Sequence, residues 1–130
     1  MSNIFGIGID IVESNRLSKI FKKNRSFKSR IFSKAEIKFC ESKSNKVSSY
    51  AKRFAAKEAF SKALGTGISN GLNFNEITVI KDLKGKPNIN LKGISKKIVN
   101  KILKRKKFNI FLSLSDEKKY AVAMIVITIK

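Results

Sequence analysis

Residues 4–12, IFGIGIDIV, alternate, with Phe5, Ile7, Ile9 and Ile11 on one side of a strand and Gly6, Gly8, Asp10 and Val12 on the other. The isoleucine side is expected to face the core. The other side carries an acid preceded by two residues without side chains, and glycine inside a strand marks close approach by a ligand or another backbone. From residue 13 to about 22 the apolar positions shift to helical spacing, with Leu17, Ile20 and Phe21 opposite Arg16, Lys19 and Lys23. Ser33 to Glu36 reads SKAE, a capping box that opens a helix running to about residue 40. A polar stretch over 42–49 leads to a helix of about 16 residues ending at 64, rich in alanine at 55, 56, 59 and 63. Strands over 75–80 and 88–91 flank the turn DLKGKP, and Ile94, Ile98, Ile102 and Leu103 stripe a helix to about residue 107. Strands over 109–114 and 120–129 close the chain as a hairpin through residues 115–119. The order predicts an α+β fold with a mainly antiparallel sheet, and 130 residues suffice for a single domain over 1–130.

Charge adds a partner to this outline. Lys and Arg number 29 against nine Asp and Glu, a formal net charge of +20, so the partner should be acidic. Nucleic acid, an acidic protein or a polyphosphate ligand all fit that field. The lysines are spread along the chain, and most of the ten Phe fall at core-like positions rather than between basic residues as a nucleic-acid surface requires. No nucleic acid is therefore expected. No apolar run approaches the roughly 20 residues of a membrane span, and no signal-peptide pattern opens the chain, so a cytoplasmic protein without a membrane partner is expected. One cysteine, Cys40, and no histidine leave neither an internal disulfide nor a zinc set. Any metal must be bound by oxygen, as magnesium or calcium is.

With nine carboxylates, each can be asked for its role. Glu36 belongs to the capping box. Glu13, Glu41, Asp116 and Glu117 read as solvated, Asp82 as a turn residue and Glu76 as the polar face of its strand. Asp10 and Glu58 remain. Asp10 is costly on so apolar a strand unless paired, hydrogen-bonded or bound to a metal, although capping the next helix is an alternative. Glu58 and Lys62 are spaced to meet on a helix with Ser61 beside them, before Gly65 and Gly67 end it. The same spacing is also a common decoration of a solvated helix. Two protein oxygens, supplemented by water and substrate phosphate, suit magnesium in a phosphoryl enzyme, with Lys62, Arg53 and Lys57 for a pyrophosphate.

Three segments, GIGIDIVE with Arg16 after it, RFAAKEAFSKALGTGI, and SLSDEKKYAVAMIV, with GKP between the second and third, resemble the holo-acyl-carrier-protein synthase family over nearly the full length. These are short 4'-phosphopantetheinyl transferases. The resemblance implies the phosphopantetheinyl transferase fold and transfer of the phosphopantetheine arm of coenzyme A to a serine of apo acyl carrier protein, releasing adenosine 3',5'-bisphosphate, in fatty acid biosynthesis. It implies magnesium as cofactor, held by Asp10 and Glu58, with Lys62 stabilising the leaving group. Coenzyme A, the co-substrate, is expected against Arg53, Lys57, Ser61, Lys62, Gly65, Lys86 and Pro87. Arg16, with neighbouring basic residues, is expected to dock the acidic carrier protein. Family likeness further implies a homotrimer with active sites at subunit interfaces. One departure stands out: the family often has histidine at the position of Phe111, and histidine or aspartate at that of Asp116, which puts coenzyme A contacts from the last hairpin in doubt.

Overall fold

In the computed structural model, residues 2–65 and 71–130 are described. Strand β1 (Asn3–Glu13) is followed by α1 (Ser14–Lys23), α2 (Phe27–Ile31), α3 (Lys34–Glu41) and the long α4 (Lys46–Leu64). A short 3-10 turn, Phe74–Glu76, leads into β2 (Ile77–Lys81), β3 (Pro87–Leu91), α5 (Gly93–Ile102), β4 (Phe108–Asp116) and β5 (Tyr120–Ile129). The expected α+β layout holds. Strands β1, β5 and β4 form one antiparallel sheet in that order, and β2 and β3 pair as a separate antiparallel ribbon. No helix among the described residues is long and apolar enough to cross a membrane.

Helix α4 packs across the three-stranded sheet, and this reverses the expectation for β1. The glycine side faces the helix: a Cβ at Gly6 would overlap the Ala63 carbonyl oxygen, and one at Gly8 the Ala59 carbonyl oxygen. Backbone meets backbone because the glycines oppose alanines, so the gap that large side chains would fill is closed instead. Cross-strand partners continue the same face, Gly8 with Ile125 and Leu112, and Asp10 with Ala123 and Leu114. Ile125, Ile127 and Ala123 are fully buried there. Phe5, Ile7, Ile9 and Ile11 instead lie on the outer face, where they are exposed together with Phe111 and Met124.

Several boundaries moved for local reasons. Helix α4 starts at Lys46 because the Asn45 side chain accepts the Ser48 N–H, and it ends at Gly65, whose φ of 83° supplies the left-handed C-cap. Gly67, also expected to stop it, lies outside the described residues. The capping box of α3 forms as expected: Ser33 N–H donates to Glu36 Oε1 at 2.9 Å and Glu36 N–H to Ser33 Oγ at 3.2 Å. Helix α5 stops at Ile102, short of residue 107, as Lys104 and Arg105 adopt positive φ. Glu76, expected on a strand face, sits in the 3-10 turn and caps α5, accepting from the Ile94 and Ser95 N–H groups at 3.2 and 3.1 Å.

Candidate active site

Because β1 is pressed on α4 through glycine, Asp10 arrives beside the helix at the level of Glu58 and Lys62. Lys62 Nζ donates to Asp10 Oδ1 at 3.0 Å and to the Ile9 carbonyl at 3.0 Å. Among the described residues it makes no bond to Glu58, so the surface pair of a solvated helix is not what this spacing builds. Glu58 and Asp10 line one cavity of about 300 Å³, whose wall includes Phe27 and Phe54, with ring centroids 5.8 Å apart. Burial against this wall raises the proton affinity of Glu58. The negative charge of Asp10 raises it further, while the Lys62 ammonium opposes both. Two carboxylates held close, half out of water, with one ammonium to balance them, form an all-oxygen donor pair that a hard divalent cation suits. Among the described residues, no cluster of three or more metal-ligating side chains occurs, so any further ligands would come from water or substrate. Arg16 and Glu13 are both exposed, Glu13 as expected, and both line the same cavity.

A second cavity, of about 370 Å³, gathers Arg53, Lys86 and Pro87 with Lys52, Lys81 and Asp116. Arg53 is buried, stacks on the Phe39 ring at 4.2 Å and donates from Nη1 to the Ser49 carbonyl at 3.2 Å, while its Nε has no partner among the described residues. Lys43 and Lys81 approach the same ring at 4.5 and 5.4 Å. Desolvation and the repulsion of Arg53, Lys52 and Lys43 push the Lys81 pKa down. Cations converge here without an equal number of acids, the electrostatic mark of an anion site. Asp116 is not free in solvent, since it accepts from Ser48 Oγ at 2.7 Å and pairs with Lys52 at 3.6 Å. Lys43, Lys81 and Phe39 were missed in the sequence, which offers no local signal that these residues converge. The two cavities share no residue, and Arg53 and Glu58 lie about 140° apart around α4.

Two expected coenzyme A contacts are corrected. Lys57 is fully buried and points away from both cavities, its Nζ donating to Glu36 Oε1 at 2.8 Å, to the Phe74 carbonyl at 2.8 Å and to the Ile77 carbonyl. All three ammonium protons are used, so none remains for a phosphate. Ser61 is buried too, with its hydroxyl turned back on the Glu58 carbonyl at 2.9 Å rather than beside Glu58 and Lys62 on an open helix surface. Gly65 is exposed at the end of α4, next to Lys62 in the last turn.

The family model described as the 4'-phosphopantetheinyl transferase superfamily matches residues 6–125. The chain is 54% identical over 124 residues to the holo-[acyl-carrier-protein] synthase of Pelagibacter ubique (strain HTCC1062), covering 95% of this chain and 96% of that protein. Among solved structures, the holo-[acyl-carrier-protein] synthase of Neisseria meningitidis superposes with a TM-score of 0.85 at 36% identity, covering 96% of this chain and 98% of that one. The Helicobacter pylori holo-[acyl-carrier-protein] synthase in complex with coenzyme A superposes with a TM-score of 0.77 at 36% identity, over 93% of this chain and 98% of that one.

Proposed function

The chain belongs to the 4'-phosphopantetheinyl transferase superfamily, in its holo-acyl-carrier-protein synthase family, and from that premise we propose how its own residues perform the transfer. The reaction moves 4'-phosphopantetheine from coenzyme A to a serine of apo acyl carrier protein, giving the holo carrier and adenosine 3',5'-bisphosphate. The observation that carries the assignment of residues is the meeting of Asp10 and Glu58 at one cavity, with Lys62 bonded to Asp10.

Asp10 and Glu58 would hold a magnesium ion, which would supply positive charge to neutralise the phosphate oxygens. As the serine oxygen attacks the β-phosphorus, the bond from that phosphorus to the bridging oxygen breaks, the serine proton passes to a carboxylate of this group, and Lys62, half-exposed beside Asp10, stabilises the charge on the departing adenosine 3',5'-bisphosphate. Phe27 and Phe54 keep water from one side of the cavity and so strengthen these charge interactions. Arg16 on the cavity rim meets the acidic carrier protein, which brings its serine to the same opening. The Arg53, Lys86 and Pro87 cavity takes the adenosine end of coenzyme A, where Lys43 and Lys81 add positive charge for its phosphate.

The working form is a homotrimer with interfacial sites. Two features support it. The outer face of the sheet exposes Phe5, Ile7, Ile9, Ile11, Phe111 and Met124 side by side, an apolar surface suited to a copy of the chain. The metal and adenosine cavities open on different sides of α4, so one coenzyme A is served by residues of two copies. Phe111 then contributes to the apolar contact, a role histidine would fill less well. The product serves fatty acid biosynthesis in the cytoplasm.

The test is the intact mass of an apo carrier protein incubated with coenzyme A and the enzyme. A gain of one phosphopantetheine is expected with magnesium present and none after chelation, with restoration on adding magnesium back. Transfer that survives complete chelation would contradict the metal reading.

A further inference from the structure

We propose that Lys62 acts as a tethered stand-in cation on Asp10 in the free enzyme, so that the metal displaces it and enters most readily together with coenzyme A. The inference rests on the metal reading of Asp10 and Glu58. Its basis is where the ammonium goes. Lys62 passes over Glu58, its neighbour one turn back on α4, and bridges Asp10 Oδ1 and the Ile9 carbonyl on β1, at 3.0 Å each. The Lys62 side chain is 54% exposed and that of Asp10, beneath its ammonium, only 17%, so the lysine lies on the solvent side of the carboxylate.

An exposed ammonium on a flexible stem is held weakly and released cheaply. While it stays, it neutralises the charge Asp10 would offer a metal and repels any divalent ion drawn to the two acids. The pyrophosphate of coenzyme A offers the ammonium another anion. Once Lys62 transfers to the pyrophosphate, Asp10 is released for the metal, and the lysine stands where the leaving oxygen needs it. Metal and coenzyme A therefore strengthen each other's binding by the same factor.

Manganese binding to the whole folded protein, read by the electron paramagnetic resonance of the free ion, tests this without relying on activity. In the absence of coenzyme A, Lys62→Met and Lys62→Gln should each tighten manganese by about ten-fold, because a bonded cation leaves Asp10. Arg16→Met removes a cation from the same cavity that is not bonded to Asp10, and should change affinity less than about three-fold. Coenzyme A should tighten manganese more in the parent protein than in either Lys62 variant. Unchanged or weaker manganese binding in the Lys62 variants, or equal tightening by Arg16→Met, would overturn the inference while leaving the metal site intact. Asp10→Asn separates the two readings: if it binds manganese as well as the parent protein, with and without coenzyme A, the metal reading fails as well.

Discussion

Helix α4 carries two lysine–carboxylate clusters that begin one residue apart and do opposite work. Lys57 turns inward to Glu36, and both are almost fully buried; every donor and acceptor is matched, with Glu36 Oε2 also accepting the Val79 N–H at 3.0 Å. Glu58 turns toward Asp10 and Lys62, where charge is left unbalanced and the proton affinity of Glu58 is raised. A satisfied buried pair fixes the positions of α3, α4 and β2 relative to one another. An unsatisfied, half-open group of acids binds and reacts. The difference lies in completeness of pairing rather than in residue type.

Breaking the buried cluster should have the largest effect on stability. Lys57→Met leaves Glu36 charged in the core without its counter-ion, and a loss of about 3–5 kcal/mol is expected in denaturant unfolding. The double variant with Glu36→Gln should recover part of it. A single variant within 1 kcal/mol of the parent would show that the pair is not the anchor described here.

Gly8→Ala attacks the open cluster through the backbone. Its Cβ would overlap the Ala59 carbonyl, so β1 must move away from α4, at about 1–3 kcal/mol, and carry Asp10 from Glu58 and Lys62. Transfer should fall further than the melting temperature suggests. Ile9→Lys, on the outer face of the same strand, should leave the fold in place and lower the assembly state seen by light scattering. An unchanged assembly would remove that face from the subunit contact.

The smallest effect is expected at Glu41. The Tyr50 hydroxyl, at 2.7 Å, with Lys46 and Lys28 nearby, holds its carboxyl at about 2, below its usual 4.5. A carboxylate with a lowered folded-state pKa stabilises above its unfolded value and loses that contribution as pH falls through the folded one. Glu41→Gln should therefore cost under about 1 kcal/mol at pH 7, since the group is partly exposed. The difference from the parent should shrink from about pH 4.5 down to 2, as followed by thermal melts across pH.

The order of the elements, apart from the short α2 and the 3-10 turn, and the Asp10, Glu58 and Lys62 group were legible in the sequence because both depend on local pattern and on scarcity of acids. The facing of β1 was not. Alternation shows that two faces exist, but the deciding contact is Gly6 and Gly8 against Ala63 and Ala59, a fit between small residues far apart in the chain. Lys57 was misplaced for a similar reason: one residue from Glu58 is a rotation of about 100°, enough to turn the side chain from the site into the core. Its partner Glu36 was recognised for its cap, yet a capping acid also able to hold a buried lysine gives no sequence signal. The cations around Phe39 come from α3, α4 and the segments beside them, and only the folded chain shows that they converge.

The division of labour on α4 is tested most directly by Glu58→Gln in the carrier-protein mass assay at saturating coenzyme A and magnesium. Transfer should drop by about a thousand-fold or more while the melting temperature stays near that of the parent, because the role proposed for Glu58 is to hold the metal and its side chain supports no part of the core. Near-normal transfer by the folded variant would contradict the account.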